Sequence, residues 1–288
     1  RDKNYGLKKN IVDGINEVLN YYEDIIILED DIIVSKYFLQ YINKALKLYC
    51  NNKNVCQISG YSYLENKISK SYTDSNTYFI KGGDCLAWGT WKRAWEKYHN
   101  KSSELLDYIN RNKLNKVLDR NNSYPFSSLL QDNITNKKQS WAINWLAINV
   151  ISNKYTLYPV KSLALHIGKD LNSTNYTASS KQDPLDVALN KNEVIIKPIP
   201  VNEHPNISKA YNSWLKETYI FSKSGSKFIF LGKVIKIFKL ILSFPYRFIL
   251  SFKSVYSLKS SEKNNYYFIE KIKKSSLYVE FSSGESTL

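Results

Sequence analysis

The feature that most constrains this chain is a short apolar run that ends in three consecutive acids. Ile25–Leu28 holds three β-branched residues among its four, and Glu29, Asp30 and Asp31 follow at once. Because the run is too short for a buried helix, it predicts an interior strand of a parallel sheet. Such sheets bind ligands beyond the carboxyl ends of their strands, and adjacent carboxylates repel one another unless a cation lies between them. The pattern therefore predicts a divalent cation, Mn²⁺ or Mg²⁺, that bridges to the phosphate oxygens of a nucleotide.

Acids directly after a strand also occur in two further settings. They can simply be solvent-exposed residues at the point where the chain leaves the sheet, without a role in binding, and that alternative stays open. A phosphorelay receiver domain also begins with a strand that runs into paired acids, but it needs a second strand that ends in a phosphorylatable Asp. The next strand-like run, Val55–Ser59, ends instead in Gly60 and Tyr61, and Asp74 lies in a polar segment. The sequence therefore does not favour a receiver domain.

Composition indicates a globular protein with a basic C-terminal part. The 288 residues suffice for one large domain and an appendage. With no Met and only 24 residues before the acidic strand, we expect a chain that is N-terminally truncated, without the first part of its nucleotide-binding half.

From Pro205 to Leu288 there are 14 Lys or Arg against 5 Glu, which is +9 of the net charge of +15. No RNA- or DNA-reading motif is visible, so nucleic acid is not a predicted partner. Three cysteines without a CxxC pair predict reduced thiols in a cytoplasmic protein.

Hydrophobic periodicity predicts helices and strands around the acidic strand. The predicted helices cover residues 7–22, 35–49 with Ser35 as N-cap, 103–121, and a segment that begins after the N-cap Ser140. The predicted strands are Val55–Ser59, Thr77–Lys81 and Tyr155–Val160. A β-α-β crossover from the acidic strand to Val55–Ser59 is expected.

A second informative stretch begins with two glycines and an acid. Gly82 and Gly83 would let the backbone approach a ligand closely, and Asp84 follows them directly. The pattern predicts a ligand contact at this point of the chain.

Tryptophans are concentrated just after that acid. Aromatic faces beside polar groups bind sugar rings, which makes Trp88 and Trp141 candidate acceptor-binding residues. The alternative is that Trp88, Trp91 and Trp95, spaced i, i+3, i+7, form one buried stripe of a helix.

Five motifs occur in a characteristic order along the chain. They are Asn4-Tyr5-Gly6-Leu7 before a helix, Ile27-Leu28-Glu29-Asp30-Asp31 followed by Ser35 and Phe38, Gly82-Gly83-Asp84 with Trp88-Gly89-Thr90-Trp91, Ser140-Trp141-Ala142-Ile143-Asn144-Trp145, and His166-Ile167-Gly168-Lys169-Asp170. Together they resemble bacterial sugar transferases of the GT-A fold, related to the N-acetylglucosaminyltransferase I group, over about residues 1–176. The resemblance implies an α/β fold with a Rossmann-like mixed sheet flanked by helices. It also implies a nucleotide-sugar donor, a divalent metal on its diphosphate, usually Mn²⁺, and displacement with inversion at the anomeric carbon.

The resemblance also implies roles for individual residues. Asp31 would bind the metal, and Glu29 and Asp30 would lie against the ribose and the donor sugar. Asp84 would face the donor sugar or the acceptor. The further candidates for donor binding are Asn4, Gly6, Lys8, Gly82 and Gly83.

Two departures from the family pattern affect the catalytic candidates. Relatives commonly have an acid before the Ser-Trp pair as general base, but this chain has Gln139, which cannot accept a proton. Asp132 or Asp84 is then the candidate base. Relatives commonly have a metal-binding His where this chain has Asn175, and His166 is the candidate replacement. The alternative for a lone His is a hydrogen-bonded structural residue.

The C-terminal part predicts a membrane-associated tail. Phe228–Phe252 is apolar but interrupted by Lys233, Lys236 and Lys239, too many charges for a bilayer-spanning helix. It predicts an amphipathic segment that lies in the membrane interface on anionic lipid, the alternative being a basic helix packed on its own domain.

We therefore expect a GT-A catalytic domain at 1–176, a loop-rich connector at 177–222 and a basic amphipathic tail at 223–288. The expected protein is a glycosyltransferase that is cytoplasmic and peripheral at the inner face of the membrane. Its partners would be a nucleotide-sugar donor and a glycan or lipid-linked acceptor in surface polysaccharide biosynthesis. The second hypothesis is a catalytically weakened nucleotide-sugar-binding module docked on the membrane.

Overall fold

A computed structural model describes residues 5–65, 67–68, 75–167 and 187–220. All of them belong to one compact unit, Arg1–Gly225. The helices are α1 (Leu7–Leu19), α2 (Phe38–Tyr49), α3 (Lys92–Trp95), α4 (Ser102–Arg111), α5 (Asn115–Leu118), α6 (Phe126–Ile134), α7 (Trp141–Ile151) and α8 (205–220). The strands are β1 (Asp24–Ile27), β2 (Ile32–Val34), β3 (Val55–Ser59), β4 (Thr77–Lys81), β5 (Trp88–Trp91), β6 (Tyr155–Pro159) and β7 (Ala164–His166). The predicted tail at 223–288 lies outside the described residues.

Five strands form a mixed sheet in the order β1-β5-β3-β6-β4, and β2 and β7 form a separate ribbon. β3 and β6 are parallel, whereas β5 is antiparallel to both β1 and β3, and β4 is antiparallel to β6. β1, β3 and β6 therefore run in the same direction, and their carboxyl ends share one edge of the sheet, called the carboxyl edge below. The mixed α/β class predicted from the sequence is confirmed.

The acidic strand has a different place from the one predicted. β1 is the outermost strand of the described sheet and is antiparallel to β5, so the prediction of an interior strand in a parallel sheet is wrong. Only Ile27 of β1 is buried. A short apolar run occurs both in interior strands and in outer strands that a helix partly covers, so it does not distinguish them. Here α1 is the helix that packs against β1. The expected crossover partner, β3, is parallel to β1 but separated from it by β5.

Helices cover both faces of the sheet. The ring of Trp88 stacks on Trp141 of α7, and its neighbour Gly89 lies so close to Ile42 and Leu46 of α2 that a Cβ would meet them at 2.9 and 3.2 Å. Successive residues of a strand point to opposite faces, so α7 and α2 lie on opposite sides of the sheet.

The ends of the helices follow from local contacts. Ser140 is the N-cap of α7 and accepts a hydrogen bond from Ile143 N, as predicted. The N-cap of α2 is Tyr37 and not Ser35, which was predicted. Ser35 is buried, and its N–H donates to Leu163 O (2.9 Å), which extends the ribbon of β2 and β7. α1 ends at Leu19, three residues earlier than predicted.

The described part of the predicted connector packs on both faces of the sheet. Ile199 N donates to the hydroxyl of Tyr49 on α2 (3.2 Å). Glu203 then accepts a hydrogen bond from Lys81 N at the end of β4 (2.8 Å), and α8 packs with Tyr78 on the opposite face from α2. Among the described helices, none is long and apolar enough to cross a membrane.

Candidate active site at the carboxyl edge

The three acids form a tight turn at the carboxyl edge of the sheet. Ile32 N donates to Glu29 O (3.3 Å), so Asp30 and Asp31 occupy the turn between β1 and β2. Asp30 is exposed, whereas Glu29 and Asp31 are half-buried. The pairing of β2 with β7 brings His166 opposite Ile32 and therefore next to the acids.

The two predicted metal ligands are in direct contact. His166 Nε2 lies 3.0 Å from Asp31 Oδ2, and Ile167 N donates to the backbone oxygen of Asp31 (2.8 Å). The remaining polar side-chain atoms, Asp31 Oδ1 and His166 Nδ1, are buried and have no hydrogen-bond partner among the described residues. A buried polar atom without a partner costs about 1–3 kcal/mol, so each of these two atoms would be stabilised by a partner of its own. The contact atoms, Asp31 Oδ2 and His166 Nε2, are close enough together to be ligands of one cation.

This donor set fits a divalent cation that shares its coordination with a substrate. A carboxylate oxygen and an imidazole nitrogen are suitable ligands for Mn²⁺, whereas Mg²⁺ prefers oxygen alone. In the part of the chain that the structure describes, no group of three His, Cys, Asp or Glu could hold a metal. A cation at Asp31 and His166 would therefore take its other ligands from a diphosphate and from water.

Glu29 has a strongly perturbed carboxyl group. Burial, and then the negative charges of Asp31 and Asp30, raises the pKa of Glu29 to about 7. A cation between the acids would oppose this shift, because its charge favours the ionised carboxylate. Binding of a divalent ion beside Glu29 would therefore favour release of its proton.

The N-terminus of α1 lies at the same edge as the acids. α1 leads into β1 through residues 20–23 and packs against it, so the two run in opposite directions. The N–H groups at a helix N-terminus favour anions such as a diphosphate. Two predicted donor-binding residues lie there: Gly6 is the N-cap with a φ of 77°, and Lys8 has an amine whose pKa is lowered by burial. Asn4 lies outside the described residues.

Asp84 is held by several hydrogen-bond donors on the α7 face of the sheet. Asp84 Oδ1 accepts from the Tyr63 hydroxyl (2.6 Å) and from Cys85 N (2.7 Å), and Oδ2 accepts from the Ser59 hydroxyl (3.2 Å). Burial raises the pKa of Asp84, and the bonds from Tyr63, Cys85, Ser59 and Tyr158 act against that rise. Asp84 lies at the carboxyl edge, because its partner Ser59 is the last residue of β3. Burial, and then the charges of Asp84 and Glu29, raises the pKa of the neighbouring Cys85 thiol.

The residues that hold Asp84 were not identified from the sequence. Tyr63 and Ser59 come from β3 and the loop after it, and Gln57 Oε1 accepts from Asp84 N (2.9 Å) and from Trp145 Nε1 (2.7 Å). None of these positions has a motif or a spacing that points to an acid more than twenty residues away. Only the fold brings them together.

The glycine pair contacts α7. A Cβ at Gly83 would lie 2.4 Å from Trp145 Cδ1, and one at Gly82 would lie 2.8 Å from Leu146 Cδ1. Both glycines are buried, and Gly82 has a φ of 111°. The close approach predicted from the glycines is therefore to a helix, and the structure gives no support to a donor contact at Gly82 and Gly83.

The tryptophans are buried in the core. Trp88 is fully buried and Trp91 and Trp95 are each 4% exposed, but Trp88 and Trp91 belong to β5 and only Trp95 to a helix, so they do not form one helical stripe. The Trp88 and Trp141 rings stack with centroids 5.6 Å apart, and Trp141 is 3% exposed. The acceptor-binding prediction for Trp88 and Trp141 gains no support, because neither ring has a face open to a sugar.

Asp132, the other candidate base, lies on α6. Its Oδ1 is 3.6 Å from Lys137 Nζ, and its backbone oxygen accepts from the N–H groups of Lys137 and Lys138. Gln139 is exposed in the same connection. The described contacts of Asp132 thus lie in the connection between α6 and α7, and none of them is with a residue of the acidic turn.

The chain matches none of the known protein-family models with which it was compared, and no curated protein matches it either. Any inference of function therefore depends on the geometry of the carboxyl edge.

Proposed function

We propose that this chain is the catalytic part of a metal-dependent, inverting glycosyltransferase of the GT-A type. It would move a sugar from a nucleotide-sugar donor to a glycan or a lipid-linked acceptor in surface polysaccharide biosynthesis. The observation that supports this most is the position of Asp31 Oδ2 and His166 Nε2 at the carboxyl edge, 3.0 Å apart, where one cation could take both atoms as ligands. Ligand binding at that edge is typical of α/β sheets.

The donor diphosphate would be held from two sides. Asp31 and His166 would hold Mn²⁺ or Mg²⁺, and a bound metal would supply charge that stabilises the departing diphosphate. Lys8 and the N-terminus of α1 offer a cation and N–H groups to the same phosphates. Glu29 and Asp30 remain the candidates for contacts to the ribose and the donor sugar.

The reaction needs a proton acceptor beside the acceptor hydroxyl. Its oxygen would bond to the anomeric carbon while the bond from that carbon to the diphosphate breaks, and its proton would pass to a carboxylate. Asp84 is the better placed of the two candidates, because it bonds to Ser59 at the carboxyl end of β3, whereas Asp132 pairs with Lys137 between α6 and α7. We propose Asp84 as the carboxylate on the acceptor side.

A peripheral position at the inner face of the membrane is part of the proposal. Its support is the basic, apolar composition of the predicted tail, which lies outside the described residues. A lipid-linked acceptor would then be concentrated near the enzyme.

A second candidate function is metal-dependent binding of a nucleotide sugar without transfer. The observation that favours it is the bonding of Asp84, whose carboxylate accepts from Tyr63, Ser59 and Cys85, so that a hydroxyl would have to displace a donor to reach it. Gln139 cannot take its place.

The deciding experiment compares Asp31→Asn with Asp24→Asn. Both replace one carboxylate of the β1 region by its amide, but Asp24 is exposed at the opposite end of the strand. Binding of Mn²⁺ with a panel of nucleotide sugars would be measured by calorimetry, and turnover by release of the nucleoside diphosphate. Asp31→Asn should lower both by more than about a hundredfold, because a direct ligand should matter more than the outer-shell partners whose loss costs about 10- to 100-fold. Asp24→Asn should lower neither. Equal behaviour of the two variants would contradict the proposed metal site, and binding without turnover in the wild type would favour the second function.

A further inference from the structure

The helix α8 packs against a tyrosine that holds Asp84. The Tyr63 and Trp214 ring centroids are 4.5 Å apart, and Tyr211 of the same helix lies 6.2 Å from Tyr63. Trp214 and Tyr211 are 6% and 8% exposed, so these contacts are made in the core. The sequence alone predicted a connector here, outside the catalytic domain.

Tyr63 joins that core to the carboxyl edge. Its ring packs with Trp214 and its hydroxyl donates to Asp84 Oδ1 at 2.6 Å, a short distance typical of a hydrogen bond to a carboxylate. Ser59 reaches the other oxygen, Oδ2, at the longer distance of 3.2 Å. The shorter of these two bonds therefore comes from a residue whose ring packs against α8.

We propose that Tyr63 is a positioning residue for Asp84, and that α8 completes the acceptor side of the site by holding the Tyr63 ring through Trp214. This inference rests on the proposed function for its catalytic consequence, but the positioning itself can be tested without turnover. In this arrangement the Tyr63 hydroxyl anchors the loop that begins at Asp84. Loss of the Tyr63 hydroxyl removes one of the donors to Asp84 Oδ1, which keeps its bond from Cys85 N, and loosens the loop.

The variant Tyr63→Phe removes the hydroxyl and keeps the ring. Tyr78→Phe is the matched control, because Tyr78 is also buried in the α8 core and its hydroxyl bonds to another side chain, Ser62 Oγ (3.2 Å), rather than to Asp84. The two variants lose the same atom from the same core. Trp214→Leu is the third variant, which keeps the Tyr63 hydroxyl and removes the ring that supports it.

Cys85 reports on the loop independently of catalysis. In a Cys50→Ser background, which removes the exposed cysteine, the rate of Cys85 modification by a disulfide reagent is measured in the metal-free protein. Tyr63→Phe and Trp214→Leu should raise this rate about tenfold, the factor that corresponds to one lost hydrogen bond to a charged group. Tyr78→Phe should leave it within twofold of the parent. Equal rates in Tyr63→Phe and Tyr78→Phe would overturn the proposal.

Turnover separates this inference from the proposed function. If the wild type transfers or hydrolyses a nucleotide sugar, Tyr63→Phe should lower kcat at least tenfold with little change in the donor KM. It should also shift the acidic limb of the pH profile to higher pH, because Asp84 has lost a donor that favours its ionised form. An unchanged pH profile in an active Tyr63→Phe enzyme would refute the role of Tyr63. Faster Cys85 modification in a chain that has no turnover would leave the positioning intact and refute the proposed enzyme instead.

Discussion

Replacing Glu203 by Gln should lower the melting temperature markedly, because it leaves a buried guanidinium without its counter-charge. The Glu203 and Arg120 side chains are each 9% exposed. Arg120 Nη1 donates to Glu203 Oε2 (2.9 Å), Nη2 donates to Oε1, and Lys81 N also donates to Oε2 (2.8 Å). Removing one partner of such a pair costs about 3–5 kcal/mol. For a domain of this size that is a fall of about 6–20 °C in Tm.

Glu193→Gln is the matched control for this measurement. Glu193 is in the same C-terminal segment, but its side chain is 45% exposed and its partner Lys44 is 54% exposed. Exposed pairs contribute about 0–1 kcal/mol, so this variant should melt within a few degrees of the wild type. Calorimetry at neutral pH gives both values. If Glu203→Gln lost no more stability than Glu193→Gln, the argument from burial would be refuted.

The same pair determines part of the acid sensitivity of the fold. Burial alone would raise the pKa of Glu203, but the hydrogen bonds and charge of Arg120, with Lys81 N and Ser208, hold it below its ordinary value of 4.5. A carboxyl group whose pKa is lower in the folded chain contributes stability that is fully present above its ordinary value and is lost as the pH falls through the folded value. The Tm of the wild type should therefore fall more steeply below about pH 4.5 than that of Glu203→Gln. Equal slopes of Tm against pH in the wild type and in Glu203→Gln would exclude Glu203 as the source of the acid sensitivity.

Two further predictions concern the packing of α7 and the acidic turn. Gly83→Ala should destabilise the chain by about 1–3 kcal/mol, since its Cβ would lie 2.4 Å from Trp145 Cδ1. Gly14→Ala, in α1 with nothing within 4 Å of the new Cβ, should instead stabilise the chain by about 0.5–1 kcal/mol. Equal changes in Tm for the two variants would contradict the close packing of Gly83 on α7. The affinity for Mn²⁺, measured by calorimetry, should increase as the pH rises through about 7. The reason is that a proton on Glu29 removes a negative charge that attracts the cation. Glu29→Gln should weaken this dependence and leave only the part that comes from deprotonation of the ligand His166. A dependence that is unchanged in this variant would exclude Glu29 as its source.

The relation between α8 and the site shows why domain boundaries are hard to read from a sequence. Residues 177–222 contain four prolines and read as a connector. Their described part nevertheless contributes Tyr211 and Trp214 to the core and Glu203 to a buried ion pair. Loop-like composition describes local backbone preference, whereas burial depends on the surface against which a segment packs.

The sequence by itself determined the local features of this protein. The apolar runs of β3 and β4, the N-cap Ser140 and the acidic turn after Ile27 all follow from interactions between residues a few positions apart. These interactions depend on backbone preference and short-range hydrogen bonding, so a short window of sequence is enough to predict them.

Only the tertiary structure decided which of these features meet. β1 pairs with β5 from a much later part of the chain, Asp31 contacts His166 across 135 positions, and Asp84 binds the hydroxyl of Tyr63. The physical reason is that hydrophobic periodicity reports that a side chain is buried but not against what. Strand order and the partners of a buried polar group are determined by the packing of the whole sheet and its helices, and that packing turned separate acids, a histidine and a tyrosine into one candidate site.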